Sequence, residues 1–126
     1  MSATTPDPLQ RIEAALKRMA ESPGFEGAVL ATADGLVLAT HGRLQGDAVA
    51  ACAASLALDS KASLSTIGEN APTELMVWND TQVWYQTRMP STHLVLAVSS
   101  DHNHAGALRL AVRRELVELR DALTTL

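Results

Sequence analysis

Residues Gly27 to Ala39 have the sequence GAVLATADGLVLA, and this stretch predicts a β-hairpin. Two apolar runs flank Ala33-Asp34-Gly35, and an Asp-Gly pair between such runs is a strong signal for a tight antiparallel turn. We therefore predict strands over residues 27–32 and 36–40. Strands joined in this way belong to an antiparallel sheet.

A helix is predicted on each side of this hairpin. The first begins with Asp7 as N-cap and Pro8 at its first position, carries an apolar stripe at three-and-four spacing, and ends at 22–24. The second is predicted from Asp47, as its cap, to about Ile67, where Gly68 closes it.

Three strands and a helix complete the chain. Strands are predicted over 73–78, 81–89 and 93–99, with a turn at Asn79-Asp80 between the first two. Asn103 is the expected cap of a final helix with one stripe, Leu108, Val112, Leu116, Leu119 and Leu123. The order α-β-β-α-β-β-β-α predicts one α+β domain over residues 1–126 with a single five-stranded antiparallel sheet, and residues 1–6 are expected to be flexible.

Composition excludes several classes of protein. Hydrophobic residues make up 47% of the 126, which excludes a disordered chain. Aromatic residues are only 3% and the net charge is −4, so we expect no nucleic-acid partner. No run approaches the roughly 18 apolar residues of a membrane span, and no signal peptide is recognised, so we expect a cytoplasmic protein that does not insert into a membrane. The single cysteine, Cys52, is expected to be a small buried side chain.

The second helix has an unusual outer face. A helical wheel places Val49, Ala53, Leu56, Ser60 and Ile67 on one side, facing the sheet. The opposite side is expected to be charged in a lone domain, yet it is small and apolar: Ala51, Ala54, Ser55, Leu58, Ala62 and Ser65. One explanation is that Ala is simply a good helix former. The other, which we favour, is that a second protein covers this face.

The same helix of a second copy is the simplest partner, because a two-fold axis makes one patch self-complementary. The third predicted strand points the same way, since Glu74 to Trp78 is apolar on both faces and an uncovered apolar edge is a liability. We therefore predict a homodimer. Its interface is predicted to contain Ala51, Ala54, Ser55, Leu58, Ala62, Leu75 and Val77.

The ordered set of elements resembles the roadblock/dynein light-chain family over residues 8–123. The resembling parts are the hairpin at 27–39, the Ala-rich second helix, and the strands ELMVW, VWYQT and HLVLAVS near 74–99. The resemblance implies a profilin-like arrangement, with the second helix on one face of the sheet and the other two helices on the opposite face. It also implies dimers formed through the second helix and third strand, which join two sheets into one of ten strands.

Bacterial members of the MglB type bind and regulate a Ras-like GTPase and can promote GTP hydrolysis. The resemblance therefore implies a Ras-like GTPase as partner, docked on the paired second helices at Ala51, Ala54, Ser55, Leu58 and Ala62. Arg43, in the Gly-flanked loop before that helix, is the best candidate for an arginine finger. Arg43 is therefore a candidate partner-binding residue, although we favour the plainer interpretation that it is a solvated loop residue.

The chain carries no motif of catalysis or cofactor binding. It has neither a GxxxxGK[ST] nor a GxGxxG pattern, and its serines lack a motif-placed His and acid. We therefore predict a protein that is not an enzyme and has no cofactor or metal. His93, His102 and His104 could together ligate zinc, but a capping turn is the preferred interpretation of the His-x-His pair.

A second function class stays open, namely a small-ligand sensor of the profilin or PAS type. Such a protein needs a cavity between its helix and its sheet. The expected lining is aromatic or Met side chains: Met76, Trp78, Trp84 and Tyr85.

Overall fold

A five-stranded antiparallel sheet with helices on both faces is seen in the computed structural model, which describes residues 6–90 and 92–126. The elements are α1 Pro8–Met19, β1 Phe25–Thr32, β2 Val37–Gly42, α2 Gly46–Ser65, β3 Glu74–Trp78, β4 Val83–Arg88, β5 His93–Ser99, a short 3-10 helix His102–His104, α3 Ala105–Arg113 and α4 Leu116–Leu123. The predicted fold class and order are confirmed. Residues 1–5 of the segment predicted to be flexible lie outside the described residues.

The strands are arranged in the order β2-β1-β5-β4-β3, so β1, β5 and β4 are interior and β2 and β3 form the edges. The predicted hairpin at 27–39 is present, and Gly35 in its turn has a φ of +89°, which favours glycine. In the second hairpin the side-chain oxygen of Asn79 accepts hydrogen bonds from the backbone N–H groups of Thr81 and Gln82, at 2.9 and 2.7 Å. Both predicted turns are therefore confirmed.

Two hydrophobic clusters hold the layers together. The larger lies between the sheet and α1, α3 and α4, and its largest fully buried helical side chains include Ile12, Leu16, Leu108 and Leu119. The smaller lies on the opposite face, where α2 packs over Val29, Leu94, Leu96 and their neighbours. The expected division, with the second helix alone on one face, is confirmed.

The start of α1 is as predicted, because Pro8 takes the first helical position and Asp7 accepts a hydrogen bond from the backbone N–H of Leu9 at 3.2 Å. Two predicted caps are wrong. Helix α2 begins at Gly46 with Gln45 at the cap position, so Asp47 lies inside the first turn. Asn103 caps no helix, and instead the Asp101 side chain accepts from the backbone N–H of Asn103 at 3.0 Å.

The predicted last helix is divided into α3 and α4 at Arg114 and Glu115. The N–H of Glu115 bonds to the carbonyl oxygen of Val112, three residues back, which tightens the turn at this point. The Glu115 carboxylate accepts from Arg18 of α1 at 2.7 Å. The apolar residues keep their three-and-four spacing across 114–115, so the sequence pattern did not indicate a break in the helix.

Candidate interaction surface

Helix α2 contacts the sheet through small side chains. Ala50 and Ala53 are fully buried, and Val49, Ala54 and Ala57 pack partly buried against the same cluster. The helical-wheel prediction was wrong for Ala54, which it placed on the outer face. It also did not include Ala50 and Ala57 among the residues that face the sheet. It was also wrong about Ile67, which lies beyond the helix end and is 72% exposed.

The outer face of α2 consists of Ala51, Ser55, Leu58 and Ala62, with Ala51, Ser55 and Ala62 exposed. Leu58 is the largest of the four, and 67% of it is accessible to solvent. Cys52 is exposed on the same helix, so the prediction that it is buried was wrong. Three of these four side chains are apolar and Ser55 is polar, and all four lie on the face where the helical wheel placed them. Their role in an interface stays a prediction.

Edge strand β3 adds apolar side chains on the same side of the sheet. Leu75 pairs with Gln86 of β4 and Val77 with Trp84, and residues paired across antiparallel strands share a face. The side chain of Gln86 hydrogen-bonds to α2, which identifies this face as the α2 side. Leu75 is half-buried and Val77 is 38% exposed. Leu75, Val77 and the outer face of α2 therefore lie on one side of the molecule.

A buried pair of hydrogen bonds made by Gln86 fixes α2 over the sheet, and the sequence pattern did not lead us to predict it. Gln86 is 2% exposed, and its side-chain nitrogen donates to the backbone oxygen of Ala53 at 3.0 Å. Its side-chain oxygen accepts from the indole N–H of Trp84 at 2.8 Å. A Gln within the otherwise apolar and aromatic run VWYQT was the available signal, because a buried amide requires partners.

An ion pair on the opposite face ties β3 to α3. The Glu74 carboxylate accepts from Nε of Arg109 at 2.5 Å, and Arg113 lies 3.5 Å away. The hydrogen bond from Arg109 lowers the pKa of Glu74, although partial burial opposes the shift. Arg109 thus ties edge strand β3 to α3, while Gln86 ties the neighbouring strand β4 to α2.

Arg43 lies just after β2, apart from the centre of the outer face of α2. Its backbone N–H donates to the carbonyl oxygen of Glu26 at 2.7 Å, next to Gly42, whose φ is +99°. The side chain is exposed. Leu58 is twelve residues into α2, which corresponds to about 18 Å along the helix axis from Gly46. Arg43 therefore lies near the N-terminal end of α2, whereas Leu58 lies in the second half of that helix.

The three histidines do not come together. His93 begins β5, whereas His102 and His104 follow its far end. Nδ1 of His104 lies 2.5 Å from the carboxylate of Asp101, and Nε2 of His102 lies 3.1 Å from the backbone oxygen of Gln82. Within the described part of the chain, no three His, Cys, Asp or Glu side chains are placed to share a metal ion.

A cavity of about 250 Å³ lies between the second half of α2 and strands β3 and β4. We call it the α2–β4 cavity, and its lining includes Ala57, Leu58, Lys61, Leu75, Gln86 and Arg88. The expected aromatic lining is wrong. Met76 and Tyr85 belong to the larger hydrophobic cluster, on the opposite face of the sheet. Trp84 packs against the smaller cluster, between α2 and the sheet.

None of the helices in residues 6–90 and 92–126 is both long and apolar enough to cross a membrane.

Comparisons with known proteins place these features in context. A model of the Roadblock/LC7 domain matches residues 11–100. No curated protein sequence matches the chain. The fold is similar to that of gliding protein MglB from Thermus thermophilus, with 21% identity, a TM-score of 0.84, and 98% of this chain and 96% of that chain covered.

Two further solved structures have a similar fold. Myxococcus xanthus MglB has 16% identity and a TM-score of 0.82, with 98% of this chain and 96% of that chain covered. A structure described as MglB with tetrameric arrangement has 22% identity, a TM-score of 0.84 and the same coverage of both chains. These similarities concern the fold.

Proposed function

Because the chain belongs to the Roadblock/LC7 family, we propose that it is a dimeric interaction module that binds and regulates a small Ras-like GTPase. The proposal includes stimulation of GTP hydrolysis by the bound GTPase. The chain itself contributes no catalytic centre in this proposal, and it acts in the cytoplasm, where bacterial signalling GTPases work.

The observation that carries the proposal is the continuity between the outer face of α2 and the open edge of β3. Leu58 is exposed on the helix, and Leu75 and Val77 lie on the same side of the sheet. A large apolar side chain exposed among alanines favours contact with another protein over contact with water. Among the strands in residues 6–90 and 92–126, β3 pairs only with β4, so its other edge has backbone groups that no described strand pairs.

A second copy of the chain satisfies both features at once. A two-fold axis beside β3 brings two β3 edges together in antiparallel pairing and sets the two α2 helices side by side. Small side chains such as Ala51 and Ala62 let those helices approach closely. The paired helices then present one surface, on which a GTPase contacts both copies.

The first experiment measures the oligomeric state by size-exclusion chromatography with light scattering. Leu58→Glu places a charge in the proposed interface, and we expect it to shift the protein toward monomer. Leu110→Glu is the matched control, because Leu110 is 49% exposed on α3, on the other face of the sheet. A wild-type protein that is monomeric at all concentrations contradicts the dimer.

The second experiment measures binding to a Ras-like GTPase from the same organism, loaded either with a non-hydrolysable GTP analogue or with GDP. We expect binding that depends on the nucleotide and is lost in Leu58→Glu but kept in Leu110→Glu. Equal binding by all three proteins excludes the outer face of α2 as the docking surface. Single-turnover hydrolysis by the same GTPase then measures whether the bound module activates it.

The sensor class has one observation in its favour, which is the α2–β4 cavity. Its position between helix and sheet agrees with that class. The described lining of the cavity has no Phe, Trp or Tyr, and a sensor has no need for an apolar outer face on α2. We therefore favour the GTPase-binding module as the main function.

A further inference from the structure

The α2–β4 cavity combines apolar walls with a charged rim. Its volume of about 250 Å³ lies just below the range of about 300–1,000 Å³ that is typical of drug-sized ligands, so its ligand is small. Leu58 and Ala57 of α2 form one wall, and Leu75 of β3 contributes to the other. Such walls suit a short aliphatic body.

Two cations lie at this cavity. Lys61 follows Leu58 by one helical turn, and Arg88 shares its sheet face with Gln86, two residues earlier on β4. Within residues 6–90 and 92–126, neither Lys61 nor Arg88 has an ion-pair partner. Two unneutralised cations beside an apolar cavity favour an anionic ligand.

Glu74 is the one acidic residue among the described residues that line the cavity, and its carboxylate forms an ion pair outside the cavity. Glu74 contributes to the cavity wall, but its carboxylate is bound by Arg109 on the opposite face of the sheet. Its negative charge therefore does not neutralise Lys61 or Arg88. The electrostatic character of the cavity is positive.

A buried hydrogen-bond donor completes the cavity. Gln86 lines it and is almost fully buried. A side-chain amide has two N–H donors, and the described contacts use one, to the carbonyl oxygen of Ala53. The second N–H is available to an acceptor oxygen, and a buried donor gains most from a charged acceptor.

We propose that the α2–β4 cavity binds a small aliphatic carboxylic acid in its ionised form. The aliphatic chain contacts Leu58 and Leu75, and Lys61 and Arg88 neutralise the carboxylate. The side-chain amide of Gln86 donates a hydrogen bond to it. This site adjoins the proposed dimer interface, because Leu58 and Leu75 belong to both, and it needs no bound GTPase.

The test titrates hexanoate into the full-length, ¹⁵N-labelled protein and follows its amide signals by NMR. We expect saturable changes at the side-chain amide of Gln86 and at the backbone of Leu58 and Leu75. Hexan-1-ol has the same apolar chain without the charge, and we expect its affinity to be weaker by about tenfold or more.

Variants that remove the charge of Lys61 or Arg88, the two cations at the rim of the cavity, test whether these side chains bind the carboxylate. Lys61→Gln and Arg88→Gln should each weaken hexanoate binding by about three- to tenfold, because each removes a charge-assisted contact at a partly exposed site. Lys17→Gln removes an exposed cation on α1 and should leave the affinity unchanged. Ala57→Leu fills the cavity without changing its charge and should abolish binding. If Ala57→Leu does not fold, the two rim variants carry the test.

Three results overturn the proposal. Equal affinity for hexan-1-ol and hexanoate shows that the cations take no part in binding. Unchanged affinity in the Lys61→Gln, Arg88→Gln double variant shows that the anion lies elsewhere. Absence of saturable binding at the concentrations where the protein is dimeric shows that a second copy, and not a small acid, occupies the cavity.

Discussion

The side-chain amide of Gln86 donates a 3.0 Å hydrogen bond to the backbone carbonyl oxygen of Ala53, and this bond joins the middle of β4 to the middle of α2. Gln86 also accepts from the indole of Trp84. One buried side chain therefore satisfies two partners. It fixes the position of the helix that carries the proposed interaction surface.

We predict that Gln86→Leu destabilises the protein by about 1–3 kcal/mol, because the Trp84 indole loses its partner inside the fold. Denaturant unfolding followed by circular dichroism measures the change. Gln10→Ala, at an exposed position of α1, is the control and should change stability by less than about 0.5 kcal/mol. A loss of stability equal in the two variants contradicts the role given to Gln86.

Gly42 is predicted to be intolerant of a side chain. Its φ is +99°, and an added Cβ lies 2.6 Å from Cα of Gly27 and closer still to the carbonyl oxygen of Glu26. Gly42→Ala should therefore cost more than about 1 kcal/mol of unfolding free energy.

Gly106→Ala is the matched control for that change. Gly106 lies in α3, and within the described part of the chain no atom outside its own stretch of helix lies within 4 Å of its added Cβ. Alanine is a better helix former, so this variant should be neutral or more stable by up to about 1 kcal/mol. Thermal unfolding of both variants under one condition compares them, and equal effects contradict the steric argument.

The Glu74–Arg109 pair is predicted to make stability depend on pH. The hydrogen bond from Arg109 lowers the pKa of Glu74 below its ordinary value of 4.5. A lowered folded-state pKa contributes stability that is fully present above the unfolded-state value and is lost as the pH falls through the folded-state value. Glu74→Gln should therefore lower the Tm by a few degrees near pH 7.

The difference in Tm between the wild type and Glu74→Gln should shrink as the pH falls below 4.5. Glu13→Gln removes an exposed carboxylate of α1 that has no ion-pair partner among the described residues. It serves as the control for the change in net charge. A difference that stays constant from neutral to acidic pH is inconsistent with the pair.

Arg43→Ala distinguishes two roles for that residue. As a solvated rim charge, Arg43 contributes modestly to partner binding, so we expect a loss of GTPase affinity of less than about fivefold and little change in the hydrolysis rate of the bound complex. An arginine finger is worth about 10³–10⁵ in rate. Single-turnover hydrolysis at saturating concentrations of the protein separates the two, and a loss of that size identifies a finger.

The turns and the strand order along the chain were predictable because Asp34-Gly35 and Asn79-Asp80 carry their own local chemistry. The neighbours of each strand in the sheet could not be predicted from local patterns, since they depend on contacts between residues distant in sequence. The break after α3 was missed because no Gly or Pro marks Arg114, and its neighbours keep the apolar spacing.

The candidate surface was predicted in part. Leu58 is found exposed, as expected from the 100° step of the helix, which places it about 140° around the helix from the buried Ala53. Ala54 was misplaced because a residue near the boundary of a face changes side with a small rotation of the helix, and alanine gives no polarity signal. Lys61, Gln86 and Arg88 were not predicted as a cluster, because they come from two elements that only the fold brings together.

Strand β5 has a further consequence for how the chain folds as it is made. The hairpins β1–β2 and β3–β4 are each local in sequence, and β5 alone among the described strands hydrogen-bonds to both of them. A nascent chain that ends before His93 contains both hairpins and no strand to join them. Two-stranded hairpins are marginally stable in water, so cooperative folding begins only once residues 93–99 have left the ribosome.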